Sequence, residues 1–307
     1  ITVTSTGHLT ITANSPLNSH LFACGNMWEG IVVEPGGHLT IDGYTVTGTG
    51  GSGRGTLIEG AKKAIDADGG TVNVRFSEFN HNYLSMSLNN IPNTGSYIYG
   101  CKFRCEGGMI GKSPYVAVKP FEHLKLQNTT NYIFPIGDAS NTSGTGKTNY
   151  FSDSYHAINV YNSNVKIQRN HFSDIFKEND GNLATDFGRA INIQNNGTTT
   201  GLTITIGGIY DVTNNRDELN TFTNVNLGIN VDNITNCDLI IAGNTFNNPD
   251  YKVDPPPHAV LFYNHRTAIL VKNPISILPN SARIYGNHIT DFRIGIHASN
   301  VEDLIIG

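Results

Sequence analysis

The chain has 307 residues, a formal net charge of −5 and 15% charged residues, against roughly 25% in an average domain. An acidic balance leaves no basic footprint for nucleic acid, and no run of about eighteen apolar residues is available to span a membrane. The missing charge is replaced by 38 Asn and 33 Gly, residues that tolerate left-handed backbone angles, so many tight corners are implied.

The sequence GHLTI occurs at residues 7–11 and again at 37–41. Its Leu and Ile alternate with His and Thr at period two, so the aliphatic pair faces inward on a strand. Between the copies lies Trp28, just before an apolar strand, where it is expected to cover the interior. Cousins of the motif pair an aliphatic residue with an apolar one five positions later. They are Ile11 and Pro16, Ile41 and Val46, Val74 and Phe79, Ile98 and Phe103, Ile167 and Phe172, Ile241 and Phe246, and Ile284 and Ile289. Asn often stands three positions after the first member, as at Asn14, Asn170, Asn244 and Asn287, with NTF at 220–222 a partial copy.

A second signature is a small residue, Ile, any residue, then an apolar one. It begins at Gly30, Ala64, Ala157, Ala190, Gly228, Ala268 and Gly295. The shortest full periods are 22 and 24 residues, from Ile284 to Ile306 and from Val74 to Ile98. A helical repeat needs apolar residues at i, i+3, i+4 and i+7. Here the period is two, in bursts broken by Asn or Gly. This describes coils of two or three short strands, each stacked on the next at about 4.8 Å. Asn at matching turns can then form a ladder of stacked amides. A β-sandwich is the competing architecture, but its strands need no fixed period.

The predicted fold is all-β: one single-stranded right-handed parallel β-helix, a solenoid of about ten coils, forming one domain over 1–307. The last residues, VEDLIIG, repeat NCDLIIAGN and stop before its Asn. The chain is therefore expected to be a fragment of a longer protein. Insertions are placed at 47–63, 119–155, 173–189 and 247–267. The first, third and fourth are predicted to leave one corner and form a crest beside a groove, while 119–155 hides a further irregular coil. Cys101 and Cys105 lie too far apart on an extended strand to pair, and buried free thiols are the simplest reading of the four cysteines.

The stretch MWEGIVVEPGGHLTIDG, followed by AKKAI, resembles the coils of right-handed parallel β-helix proteins of the pectin-lyase-like superfold. It is most similar to large secreted proteins of Bacteroidetes-type bacteria. The resemblance implies a secreted or cell-surface location and contact with a polysaccharide or cell-surface glycan. It further implies other domains of the same longer chain as partners.

Chemistry is sparser than fold. A polygalacturonase-like hydrolase would carry N-T-D, D-D, G-H-G and R-I-K in order; the chain has no D-D pair and no G-H-G. GTGKT at 144–148 is not a phosphate loop, because Asn141 stands where the first glycine belongs. No cofactor is required. Calcium is left open for Asp180, Asp186, Asp250 and Asp254, which are scattered as solvated loop carboxylates usually are.

One register does suggest a site. Two positions before the Ile of the second signature stand Lys63, His156 and Arg189. One position after it stand Asp66, Asn159, Asn192 and Asn230. Stacking would draw each set into a column, with cations beside amides facing an anionic or hydroxyl-rich sugar. Polysaccharide lyases need such groups, a base for the proton and a cation for the enolate. Ordinary polar residues on a wet sheet are the simpler account. The insertion 247–267 adds Tyr251, Lys252, His258, Tyr263, His265 and Arg266, either as a sugar-contacting surface or as a loop packed on itself. Two functions follow: an extracellular module contacting polysaccharide without catalysis, or a lyase acting on an acidic glycan through Lys63, His156 and Arg189.

Overall fold

The computed structural model describes residues 1–14, 18–44, 55–92, 95–106, 120–137, 147–175, 188–196, 199–208, 218–234, 236–249, 267–275, 282–301 and 304–307. Their strands form three all-parallel sheets of ten, ten and nine strands. Each strand pairs with those one coil earlier and one coil later, and the chain visits the first, second and third sheets in turn. The protein is a parallel β-helix of ten coils, as the repeat predicts.

The three sides of the coil send columns of apolar residues into a shared core. In the second sheet, Ile41, Val74, Ile98, Ile136, Ile167, Ile206, Ile241 and Ile284 lie in register and are fully buried. The two GHLTI strands pair residue for residue, and the outward rings of His8 and His38 stack at 4.4 Å. In the third sheet six Phe rings, 79, 103, 151, 172, 222 and 246, stack nearly parallel with centroids 4.4–5.2 Å apart.

The corners explain the composition. Asn90, Asn128, Asn162 and Asn233 leave the first sheet with φ between 49° and 56°. Asn is among the few residues with a side chain that adopt such angles readily. The amide ladder is continuous from Asn149 through Asn170, Asn220 and Asn244 to Asn287, each Nδ2 donating to the next Oδ1 at 2.9 Å. At its end, the Oδ1 of Asn149 accepts from the Cys101 N–H. Asn14 is exposed and outside this run.

Alternation breaks where the chain enters the first sheet. Ala157 and Ile158 are consecutive and both fully buried, as are Ala190 and Ile191. Most coils keep the first small where the core is tight: a Cβ on Gly228 would sit 2.5 Å from the Ala268 carbonyl oxygen and 2.6 Å from the Phe246 ring. Consequently the residues two before and one after the inward Ile both face out, side by side.

Some sequence readings need correction. Pro16 and Val46 lie outside the described residues. The third-sheet rungs of the first two coils are Ser19–Leu21 and Thr56–Glu59, with Ile58 paired to Phe79. The segment 47–63 thus contains a rung, and the extra residues before it leave a different corner from 173–189 and 247–267. The stretch 119–155 does hold the further coil expected of it, and its strands, Glu122–Gln127, Phe134–Ile136 and Asn149–Ser152, pair in register with their neighbours. Cys101, Cys105 and Cys237 are buried free thiols, but Cys24 is exposed.

Candidate functional site

The outer face of the first sheet carries both columns that the sequence suggested, with different membership. The first runs Lys63, Leu84, Glu122, His156, Arg189, Leu227, Thr267. His156 and Arg189 are on adjacent rungs, whereas Lys63 lies three rungs from His156, about 14 Å away. The three cations therefore do not form one cluster. Lys63 instead pairs with Asp66 across 2.9 Å. The neighbour of His156 on the other side is Glu122, which sequence reasoning missed.

The second column runs Asp66, Ser87, Lys125, Asn159, Asn192, Asn230. Its amides bond to each other. Asn230 donates to Asn192 at 2.7 Å, Asn192 donates to Asn159 at 2.8 Å, and Asn159 donates to Glu122 at 3.0 Å. Nη1 of Arg189 donates to the Asn192 carbonyl at 3.2 Å. Asn192 and Asn230 are only 2% and 1% exposed, so these amides serve the sheet before any ligand. Glu122 ends the chain of amides. Burial raises its pKa above the ordinary carboxylate range, opposed by the Asn159 hydrogen bond and by Lys125.

Beyond Glu122 the column opens into a cleft of about 320 Å³, lined by Glu29, Val32, Lys62, Lys63, Asp66, Tyr83, Leu84, Phe121 and Glu122. Two ion pairs stand in its wall, Lys62 with Glu29 at 2.6 Å and Lys63 with Asp66. Such solvated pairs add little stability, but they hold four polar heads in place. Phe121 is 40% exposed, and its ring meets that of His156 edge-on at 5.2 Å, joining the cleft to the column. The chain matches no family model, no curated protein and no solved structure. The face must therefore be read from its own chemistry.

The cleft gathers residues from four coils, which no local motif could announce. Glu122 did have a signal. FEHLKL fits the second signature once His123 is allowed in the small-residue place and Leu124 in that of the Ile. Trp28 is half-buried against the core with Nε1 donating to the Glu59 carbonyl at 2.9 Å, as expected of a residue covering the interior. Tyr251, Lys252, His258, Tyr263, His265 and Arg266 lie outside the described residues, as do Asp180, Asp186, Asp250 and Asp254. Among the described residues, no three His, Cys, Asp or Glu gather as a metal site would need. In the same residues, no helix is long and apolar enough to cross a membrane.

Proposed function

We propose that the chain is a module of a secreted or cell-surface protein that holds polysaccharide against its first sheet without catalysis. The observation that carries this reading is the cleft, an apolar floor between fixed ion pairs on a rigid sheet. A pyranose ring presents C–H groups on its faces and hydroxyls around its rim, so its site needs an apolar wall flanked by donors and acceptors. Phe121, Tyr83 and Leu84 supply the wall; Lys62, Lys63, Asp66 and Glu29 supply the rim. The sheet fixes these groups beforehand, which lowers the ordering cost of binding. The resemblance of the coils to pectin-lyase-like and secreted Bacteroidetes-type proteins supports the same reading and the extracellular location. It also supports further domains as partners.

The test is electrophoresis through gels containing alginate, pectate or chondroitin sulfate. Retardation by at least one polymer is expected, with affinity reduced about tenfold in Phe121→Ala, near the 1.4 kcal/mol expected of one lost ring contact. Unretarded migration in all three gels sinks the reading.

One observation favours the lyase alternative. Glu122, His156 and Arg189 place a carboxyl, an imidazole and a guanidinium on successive rungs. In β-elimination His156 would take the C5 proton, Arg189 would steady the enolate, and the glycosidic C4–O bond would break as the C4–C5 double bond forms, the departing oxygen taking the proton back from the His156 imidazolium. Unsaturated product, followed by its absorbance and lost in Arg189→Ala, would establish catalysis.

A further inference from the structure

A second surface lies on the outer face of the second sheet and is independent of the cleft. On the strand Tyr97–Tyr99, Ile98 is fully buried, so both tyrosines point outward. Their rings face each other with centroids 5.2 Å apart. Phe76 meets Tyr99 edge-on at 5.5 Å, and the Lys147 ammonium lies 5.5 Å from the centre of the same ring. Arg75 is held by Asp42, with Nε donating to Oδ1 at 2.6 Å, and directs Nη1 at the Tyr99 hydroxyl at 3.3 Å.

Phe76 is the telling residue. It occupies the corner between the second and third sheets with φ 50°. Other coils place Gly100, Gly243 and Gly286 at the equivalent left-handed position, just before the third-sheet strand, and one places Arg169 there with φ 55°. A bulky aromatic there is strained. Phe76 takes no part in the buried Phe ladder, and it remains half-exposed. Strain retained outside the core, for the sake of an outward ring cluster, points to function.

We propose that Tyr97, Tyr99 and Phe76 form a stacking site for the apolar face of a hexose ring, with Arg75 and Lys147 addressing its hydroxyls. Among the described residues, the next coil sets small side chains beside the rings. Ile98 pairs with Ile136, which sets Pro135 and Gly137 beside the tyrosines. Gly137 cannot carry a side chain, because a Cβ would lie 1.7 Å from the Gln168 carbonyl oxygen. Three rings alone make too small an apolar area for a stable protein interface. Rings edged by fixed donors and an acid match a sugar better than a peptide.

The experiment is electrophoresis through gels containing galactomannan, hydroxyethylcellulose or pectate, with wild type, Tyr97→Ala, Phe76→Gly and Phe121→Ala. Retardation by at least one polymer is expected to fall five- to twentyfold in Tyr97→Ala. Where the cleft also holds that polymer, Tyr97→Ala and Phe121→Ala should lower retardation independently of each other, which separates this site from the cleft. Phe76→Gly should bind less while unfolding at the same or a higher temperature, since glycine relieves the strained corner. Three results overturn the proposal: no retardation in any gel, undiminished binding by both second-sheet variants, or a lower unfolding temperature in Phe76→Gly. The last would make the cluster a packing device.

Discussion

His123 occupies the place where other coils put Ala or Gly. It is fully buried, tilted between Phe103 and Phe151 with ring centroids 6.1 and 6.3 Å away. Nε2 donates to the Ser152 carbonyl at 2.6 Å, which leaves Nδ1 as the acceptor toward the Ser85 hydroxyl at 3.5 Å. The neutral ring is thus satisfied at both ends, while a proton would bring charge into the core. Burial pushes its pKa down to about 4, against a favourable carbonyl and the nearby Asp153. The folded pKa lies below the unfolded value near 6.5, so the unfolded chain takes the proton first. Stability is therefore intact above about pH 6.5 and falls as the pH drops toward 4, by about 3 kcal/mol from this group alone. Glu122, with a raised pKa, works in the opposite sense. Comparing denaturant unfolding of wild type and His123→Ala between pH 7 and 4 isolates the imidazole. The variant should lose less stability over that range, and parallel curves would show that His123 is not the linked group.

At the scale of the element, the two ladders divide the work. The Phe stack fills the third side of the coil, and the Asn run satisfies backbone at the corner beside it. Asn170 alone donates to the Ile136 and Gln168 carbonyls and to Asn220, while accepting from Asn149. Phe172 lies between Phe151 and Phe222 at centroid distances of 5.2 and 4.8 Å. Neither neighbour can close the gap without leaving its own rung, so Phe172→Ala should cost about 3–5 kcal/mol in denaturant unfolding. A cost below about 1 kcal/mol would mean that the stack yields easily. Elements that carry this register, such as VKIQRNHF and LIIAGNTF, were legible in the sequence because inward residue, turn and ladder recur at fixed offsets. The rungs Ser19–Leu21 and Thr56–Glu59 were not, since their corners are longer and Ile58 replaces Phe. A coil was expected within 119–155, but its register, and with it Glu122, was not legible because His123 breaks the small-residue rule. In the candidate site the columns were legible as registers. Which groups touch depends on how many coils intervene, and two coils, those of Leu84 and Glu122, separate Lys63 from His156.

For the whole molecule, each described strand pairs within its sheet only with the rungs before and after it, across three sheets whose order never crosses. Stability is then close to a sum of coil and nearest-neighbour contributions. A defect in one rung should propagate weakly along the axis. Phe172→Ala offers a direct test, because hydrogen exchange reads opening segment by segment. Amides of Val165–Ile167 in the same coil should exchange faster, and so should those of the adjoining strands Asn149–Ser152 and Thr221–Val225. Those of His38–Asp42 and Ala282–Tyr285, several coils away, should keep their protection. Uniform acceleration from one end to the other would mean that the spring opens as a single cooperative unit. The two proposed sugar surfaces would then rise and fall in occupancy together rather than as separate sites on a rigid frame.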